Sequence, residues 1–228
     1  MTRPLLILRP LDGALQTEQR AKERGLQVVV DPLFVVEPVA WSAPPAEDFD
    51  ALLLTSANAV ARGGGQLATF RSLPVLAVGE ATASAAENAG FQVAKQGASG
   101  GQALLDSLAV QEYLRILWLA GEQHSALDAT GRDLHIAPVY RSRAAGLGEK
   151  AMACLQGEAV VLLHSARAAR HLAAELDRLQ MKRDRHHAVA FSAKVAEAAG
   201  QGWRSVCIAD HPDDDALLSL ATGLCQSE

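Results

Sequence analysis

Short apolar runs alternate along the chain with alanine-rich helical segments, and glycine, proline or aspartate bounds most of the runs. This alternation is typical of βα units that build a parallel sheet. The runs 52–54 and 160–163 are continuously apolar, as strands buried on both faces should be. The predicted strands cover residues 5–9, 27–31, 51–55, 75–78, 92–94, 115–120, 134–137, 159–164, 188–191 and 205–209. The predicted helices cover residues 12–24, 57–70, 81–89, 100–110, 123–132, 147–155, 166–180, 193–200 and 213–225.

The same pattern occurs twice, about 110 residues apart, in a circularly permuted order. The matching pairs are Ala51–Val60 with Val160–Ala169, Val75–Thr82 with Val189–Lys194, and Leu5–Pro10 with Ile116–Gly121. Of the last pair, Leu5–Pro10 lies before the other segments of its copy, whereas Ile116–Gly121 lies after the other segments of its copy. A long-period repeat in this order implies two similar domains, the first of which is made from both ends of the chain.

The repeat predicts a first domain from residues 1–34 plus 144–228 and a second domain from residues 39–138. Residues 35–38 and 139–143 are extended and mixed in polarity, so they are predicted to cross between the domains side by side and antiparallel. Such a two-stranded ladder would act as a hinge for domain motion. Five strands per domain, with helices on both faces, predict two flavodoxin-like, doubly wound α/β domains.

In doubly wound sheets ligands bind beyond the carboxyl ends of the strands, so the residues there are the candidates for a site. Thr55, Ser56 and Asn58 follow one predicted strand, and His164 and Ser165 hold the matching place in the repeat. Serine and asparagine before a helix are ordinary N-caps. A helix N-terminus is also an anion site, because its free N–H groups point outward. Both interpretations stay open for these residues.

The next turns offer further polar candidates. Gly79 permits close approach to the backbone, and Thr82 is expected in the first turn of the next helix, open to a ligand. Ser192 and Lys194 occupy the matching turn, where a lysine at a helix start opposes the helix dipole and an anionic partner would relieve that mismatch.

Two side chains near the strand ends could contact a carboxylate or donate a proton. Arg9 ends the first strand, and its guanidinium either is simply solvated or pairs with a carboxylate in bidentate fashion. Tyr140 lies in the second crossing, where it either packs as an aromatic between the domains or acts as a weak acid and hydrogen-bond donor.

Composition excludes several classes of protein. The net charge of −5 and the lack of a basic cluster argue against binding to nucleic acid. Three cysteines without a CxxC pair fit a reducing cytosol. No apolar run approaches the 18 residues of a membrane span and no signal-peptide plan is visible, so a cytoplasmic location is expected. Phosphate-binding loops and metal-ligand patterns are also absent, and Asp213–Asp215 is explained as charge at a helix start.

Taken in order, several short motifs resemble the uroporphyrinogen-III synthase family over the whole chain. They are Leu8–Pro10, Leu54–Val60, Ala77–Thr82, Val139–Tyr140, His164–Arg167 and Gly202–Leu218. The resemblance implies two flavodoxin-like domains with the active site between them. It further implies cyclisation of hydroxymethylbilane to uroporphyrinogen III, with loss of water and inversion of ring D, and no metal or organic cofactor.

The resemblance also implies roles for single residues. Tyr140 would lie near the departing hydroxyl, and Thr82 would line the cleft. Ser56 and Ser165, with their backbone N–H groups, would hold substrate carboxylates. Many relatives carry a Gly-Pro-Thr-Thr-like turn where this chain has residues 191–194, so Ser192 or Lys194 would replace a threonine contact there.

The partners implied are the small molecule hydroxymethylbilane and, in transient contact, hydroxymethylbilane synthase, while the chain itself is expected to be a monomer. Two other classes fit two doubly wound domains. One is a non-enzymatic sensor that closes on a small anion, and the other is a glycosyltransferase-like enzyme. A sensor normally carries an effector domain, for which 228 residues leave no room, and no sugar-nucleotide signature is visible.

Overall fold

The computed structural model describes residues 2–98, 100–109 and 111–226, so Val110 of the predicted helix 100–110 lies outside the described residues. The strands are β1 Leu5–Ile7, β2 Val28–Val30, β3 Phe34–Pro38, β4 Ala51–Leu54, β5 Val75–Val78, β6 Val93–Gly97, β7 Arg115–Gly121, β8 Asp133–Ala144, β9 Val160–Leu163, β10 His187–Ala190 and β11 Ser205–Ile208. The α-helices are α1 Leu11–Glu23, α2 Ala57–Arg62, α3 Glu80–Asn88, α4 Gly101–Asp106, α5 Glu149–Cys154, α6 Ala166–Arg178, α7 Ala193–Ala198 and α8 Asp214–Gln226. In this part of the chain no helix combines the length and apolarity needed to cross a bilayer.

The chain divides into two compact units, which are Met1–Val35 with Arg143–Glu228 (unit 1) and Val36–Ser142 (unit 2). Strands β3 and β8 pass from one unit to the other and are neighbours in one sheet. The predicted antiparallel hinge ladder, and motion about it, stay predictions.

Unit 1 is built on a parallel five-stranded sheet in the order β2-β1-β9-β10-β11. Counted along the chain, this is second, first, third, fourth, fifth, the order of flavodoxin-like sheets. Helices α1 and α8 bury Ala14 and Leu217 against one face. Helices α5, α6 and α7 cover the other face, where Leu172 is fully buried. Strand β9 is buried on both faces, as its continuous apolar run predicts.

Unit 2 repeats this sheet in the order β8-β7-β4-β5-β6, with β3 added beside β8. If β7 is counted as the first strand, the order is again second, first, third, fourth, fifth, but the chain enters at the third strand, β4. The two sheets are therefore circular permutations of one another. Phe70 and Ala83 pack on one face of the sheet, and Leu104 of α4 packs on the other. The predicted α/β class with two doubly wound parallel sheets is confirmed.

Three predicted helices are wrong in extent or in kind, and one of them, predicted over 100–110, ends at Asp106. The predicted helix 57–70 ends at Arg62, because Gly64 takes a φ of +75° and the chain resumes as a 3₁₀ helix over Gly65–Phe70. The segment 123–132 contains no helix in the structure. There the side chain of Asp128 accepts a hydrogen bond from the N–H of Thr130 at 2.9 Å, and this local turn competes with helix formation.

Candidate active site

Each sheet reverses its strand order between its first and third strands, and a ligand crevice is expected at the carboxyl ends of those two strands. In unit 1 they are β1 and β9, and in unit 2 they are β7 and β4. The predicted residues beside these reversals are Arg9 after β1, His164 and Ser165 after β9, and Thr55, Ser56 and Asn58 after β4. The fold therefore brings candidates from distant parts of the chain to the carboxyl edge of each sheet.

Ser56 and Ser165 act as helix N-caps in equivalent places of the two units. The Oγ of Ser56 accepts a hydrogen bond from the N–H of Asn58 at 3.2 Å, and the Oγ of Ser165 accepts one from Ala168 at 3.1 Å. A hydroxyl that accepts one bond keeps its proton for donation to a ligand. Capping and binding are thus compatible at both serines, whose substrate contacts stay predictions.

The turn after β5 fits its prediction at Gly79 but not at Thr82. Gly79 has a φ of +80°, which favours glycine, and its N–H donates to the carbonyl of Gly97 at 2.7 Å. Thr82 lies in the first turn of α3 and is only 4% exposed, so it is less open than predicted. Its contact with a substrate stays a prediction.

The matching turn in unit 1 leaves polar groups uncommitted. Ser192 precedes α7 at the N-cap position, but its side chain makes no capping hydrogen bond. Lys194 lies in the first turn of this helix and is exposed, and that turn carries no acidic residue. Both side chains are therefore placed to meet an anion, although their contact with a substrate stays a prediction.

Tyr140 lies beside the carboxyl end of β7, next to the reversal in unit 2. The pairing of β7 with β8 shifts after Ala120, so Gly121 lies opposite Tyr140, and the N–H of Glu122 donates to the Tyr140 carbonyl at 2.8 Å. A Cβ at Gly121 would lie 2.9 Å from two ring carbons of the tyrosine and 3.2 Å from its Oη. Glycine is needed here because any side chain would displace the phenol from the strand end.

A second group of side chains at this reversal was missed by the sequence analysis. The indole Nε1–H of Trp118 donates to the Oγ1 of Thr55 at 3.1 Å, and the Trp118 ring packs edge-on against His124, 4.9 Å between centroids. The Nδ1 of His124 is 2.8 Å from the carbonyl oxygen of Gly121. The hydroxyl of Thr55 is therefore oriented by a buried indole, a contact that no local motif reveals.

In unit 1, Arg9 is anchored to a residue that the sequence analysis assigned only to helix charge. Its Nη1 donates to both carboxylate oxygens of Asp214, at 2.9 and 3.0 Å, and to the Oγ1 of Thr17 at 3.1 Å. The Thr17 hydroxyl in turn donates to Asp214 at 2.6 Å. One nitrogen of the guanidinium is thus fixed by helices α1 and α8, and a substrate contact by Arg9 would use its other nitrogens.

His164 borders the same carboxylate. Its side chain is 7% exposed, and its Nε2 lies 3.5 Å from an oxygen of Asp214. The ring packs edge-on against Phe191, with centroids 4.7 Å apart. Within the described chain neither ring nitrogen has a hydrogen-bond partner.

The charges of this group follow from burial and from its partners. Burial lowers the pKa of His164, so the imidazole is neutral at pH 7. Burial alone would raise the pKa of Asp214, but the contact from His164, the hydroxyl of Thr17 and the charge of Arg9 together lower it to about 2. We attribute most of that lowering to Thr17 and Arg9, because their hydrogen bonds are short and the neutral imidazole supplies little charge. Arg9 and Asp214 therefore form a neutral pair at the sheet edge.

A groove of about 940 Å³ in unit 1 lies away from these residues. It is lined by Leu11, Leu15, Glu18, Val28–Pro32, Glu149, Lys150, Ala153 and Cys154. Three acidic residues against one lysine make this groove a poor site for a polycarboxylate. In the described residues no three His, Cys, Asp or Glu side chains are grouped to hold a metal ion.

The low pKa of Asp214 predicts a loss of stability in acid. A carboxylate with a folded pKa of about 2 and an ordinary value of 3.8 stabilises the folded state above pH 3.8, and this contribution is lost as the pH falls through 2. The gap in unfolding free energy between wild type and Asp214→Asn should therefore be widest near neutrality and should shrink between pH 4 and 2. Urea titrations at several pH values measure it, with Asp215→Asn as the exposed control. A gap that stays constant down to pH 2 would contradict this account.

We compared the chain with protein-family models, curated proteins and solved structures. The family model described as HEM4, Uroporphyrinogen-III synthase HemD, matches residues 16–219. The fold is similar to that of uroporphyrinogen-III synthetase from Helicobacter pylori, with a TM-score of 0.67 and 18% identity over 97% of this chain and 99% of that one. It is also similar to a mutant uroporphyrinogen III synthase from Thermus thermophilus, with a TM-score of 0.56 and 18% identity over 99% and 100% of the two chains. No curated protein matches the sequence significantly.

The two structural likenesses, at 18% identity, bear on the fold alone. The family model spans most of the sequence, from the middle of α1 into α8, and includes the loops after β4, β5, β9 and β10. The chain belongs to the uroporphyrinogen-III synthase family.

Proposed function

We propose that this protein is a uroporphyrinogen-III synthase, which closes hydroxymethylbilane into uroporphyrinogen III. The observation that carries the proposal is the family match over residues 16–219. The reaction releases water, joins the two ends of the linear tetrapyrrole and inverts ring D. It is a lyase reaction that requires no oxidant, reductant or other co-reactant.

The chemistry of the substrate suits the carboxyl edges of the two sheets. Hydroxymethylbilane carries acetate and propionate groups, and the N-termini of α2 and α6 present N–H groups that attract such anions. Ser56, Ser165, Ser192 and Lys194 add hydroxyls and a cation at the same edges. These contacts would hold the chain of pyrroles in one folded arrangement.

Orientation is the main contribution that the reaction needs from the protein. Departure of the hydroxyl from the terminal hydroxymethyl group leaves an electrophilic azafulvene, which closes without help to the symmetric isomer. An enzyme that holds ring D so that its substituted carbon attacks directs the same intermediate to isomer III. Positioning of reacting groups can supply roughly 7–11 kcal/mol of a barrier.

Tyr140 is the residue proposed to assist departure of the hydroxyl. Its ring lies against Gly121 at the strand reversal of unit 2. A phenol so placed can donate a hydrogen bond to the leaving oxygen and take up no charge in doing so. The Trp118–Thr55 hydrogen bond fixes a second hydroxyl near the same reversal.

Further features belong to this proposal. The protein acts as a cytoplasmic monomer without metal or organic cofactor. It takes its unstable substrate in transient contact with hydroxymethylbilane synthase.

A coupled assay tests the reaction directly. Porphobilinogen and hydroxymethylbilane synthase generate the substrate with and without this protein, and the products are oxidised to porphyrins and separated into isomers I and III. We expect isomer III to dominate only when the protein is present. Isomer I in both reactions, with a folded protein and an active upstream enzyme, would reject the proposal and favour a non-catalytic anion-binding protein.

Two variants test the placement of the phenol. Tyr140→Phe should lower turnover about tenfold or more while the fold stays intact, because the loss of one hydrogen bond to a developing charge costs about 1.5–3 kcal/mol. Gly121→Ala should lower turnover as well, since its methyl group would displace the ring without removing the hydroxyl. Gly65→Ala, where a Cβ meets open space, is the control. Unchanged kinetics in Tyr140→Phe would remove this residue from the mechanism.

A further inference from the structure

The guanidinium of Arg9 is seated by three residues that come from two helices. Asp214 and Thr17 hold its Nη1 through the hydrogen bonds described above. The third residue is Gly13, in the first turn of α1: a Cβ there would lie 2.6 Å from Nε, 2.8 Å from Cζ and 2.9 Å from Nη2 of Arg9. The other edge of the guanidinium therefore lies over the start of α1, in a space that only glycine leaves free.

Glycine at position 13 lowers the stability of the helix, and the close approach of Arg9 is the feature of the structure that requires it. Glycine is less favourable than alanine within a helix. Gly13 has no left-handed backbone angle that would require it, unlike Gly79. Its lack of a side chain is thus used to admit the guanidinium, and any shift of that group to accommodate a methyl would break its bonds to Asp214 and Thr17.

The seated group faces a region suited to an anion. The first-turn N–H groups of a helix have no intrahelical acceptors, so the start of α1 offers donors to an anion beside the Nε–Nη2 edge of Arg9, and the positive charge of Arg9 is set against the acidic Asp12 of the same turn. The Arg9 side chain is 29% exposed, so solvent and ligands reach it. Its position directly after β1 is at the reversal of the unit 1 sheet.

His164 provides an independent sign of a ligand at this place. It follows β9, on the opposite side of the reversal from β1; its Nδ1 is buried without a hydrogen-bond partner in the described chain, and its Nε2 has only the 3.5 Å contact with Asp214. Buried polar atoms are rarely left unpaired, because each costs free energy unless a partner is supplied. A bound carboxylate or an accompanying water would supply one.

We propose that Asp214, together with Thr17 and Gly13, positions Arg9 so that its free edge and the first turn of α1 bind one carboxylate of the substrate. Asp214 is a positioning residue in this account, since it acts on the substrate through Arg9. The proposal rests on the proposed function for the identity of the ligand, which is a tetrapyrrole polycarboxylate. The anchoring geometry itself does not depend on that identity.

The subsite is tested by measuring the binding of uroporphyrin III to the full-length protein. Quenching of tryptophan fluorescence reports the binding. Asp214→Asn should raise the dissociation constant about tenfold or more, because the guanidinium loses its charged anchor. In the coupled assay it should raise KM more than it lowers kcat. The matched control is Asp215→Asn. Asp215 is the next residue of α8, and its carboxylate pairs with Arg24 instead of Arg9. Asp215→Asn should leave the dissociation constant and KM unchanged.

Variants of Thr17 and Gly13, each with a matched control, separate an effect on the position of Arg9 from an effect on folding. Thr17→Val removes the hydroxyl that links Arg9 to Asp214 and should weaken binding, whereas Thr17→Ser keeps the hydroxyl and should restore it. Gly13→Ala should weaken binding by displacing the guanidinium. Gly223→Ala is its control, since a Cβ there meets open space within a helix. The Thr17 and Gly13 variants test the positioning of Arg9 even if Asp214→Asn does not fold.

The outcomes for the subsite and for the reaction can be told apart. Wild-type affinity for uroporphyrin III in Asp214→Asn and Thr17→Val, or tighter binding in either, would overturn the positioning role even if the wild type produces isomer III. Absence of uroporphyrin III binding by the wild type would also overturn it. If the wild type binds but produces only isomer I, the proposed function fails, and weaker binding by the variants still supports the positioning of Arg9.

Discussion

The structure depends on the parallel pairing of β1 with β9 and of β7 with β4, because these pairs join the first and third strands of each sheet. The four strands are almost fully buried, so their backbone groups must be satisfied by neighbouring strands and their side chains must be apolar. Helices on both faces follow from this burial. A ligand crevice is expected at the reversal of strand order beside each pair, and Arg9, Thr55, Ser56, Asn58, His164 and Ser165 take their positions from these strand ends.

The constraint explains why the fold could be predicted largely from the sequence. Continuous apolar runs such as 160–163 can be satisfied only as central strands, and a repeat that is permuted in order leaves the spatial neighbours unchanged. Local turn chemistry was harder to predict. Asp128 forms a turn where alanine and polar residues suggested a helix, and Gly64 ends a helix that apolar spacing would continue.

The candidate site was predictable at the level of strand ends but not of side-chain direction. Ser56 and Ser165 follow from their place before a helix, whereas the burial of Thr82 in the first turn of α3 depends on tertiary packing that the local sequence does not show. Asp214 could not be distinguished from an ordinary helix-start acid, since its partner Arg9 lies more than 200 residues away in the chain. Gly13 and Gly121 likewise gain their meaning only from the side chains that lie over them.

These glycines suggest how the protein directs a reaction that proceeds unaided to the wrong isomer. Gly121 and Gly13 let Tyr140 and Arg9 lie close against the backbone at strand ends, and in the proposed mechanism each group is fixed before the substrate binds. Hydrogen–deuterium exchange with and without uroporphyrin III is the most direct test that the carboxyl edges bind the tetrapyrrole. We predict slower exchange at the starts of α1, α2 and α6, and no change in the loops before β10 and β11. Protection confined to those two loops would contradict the account.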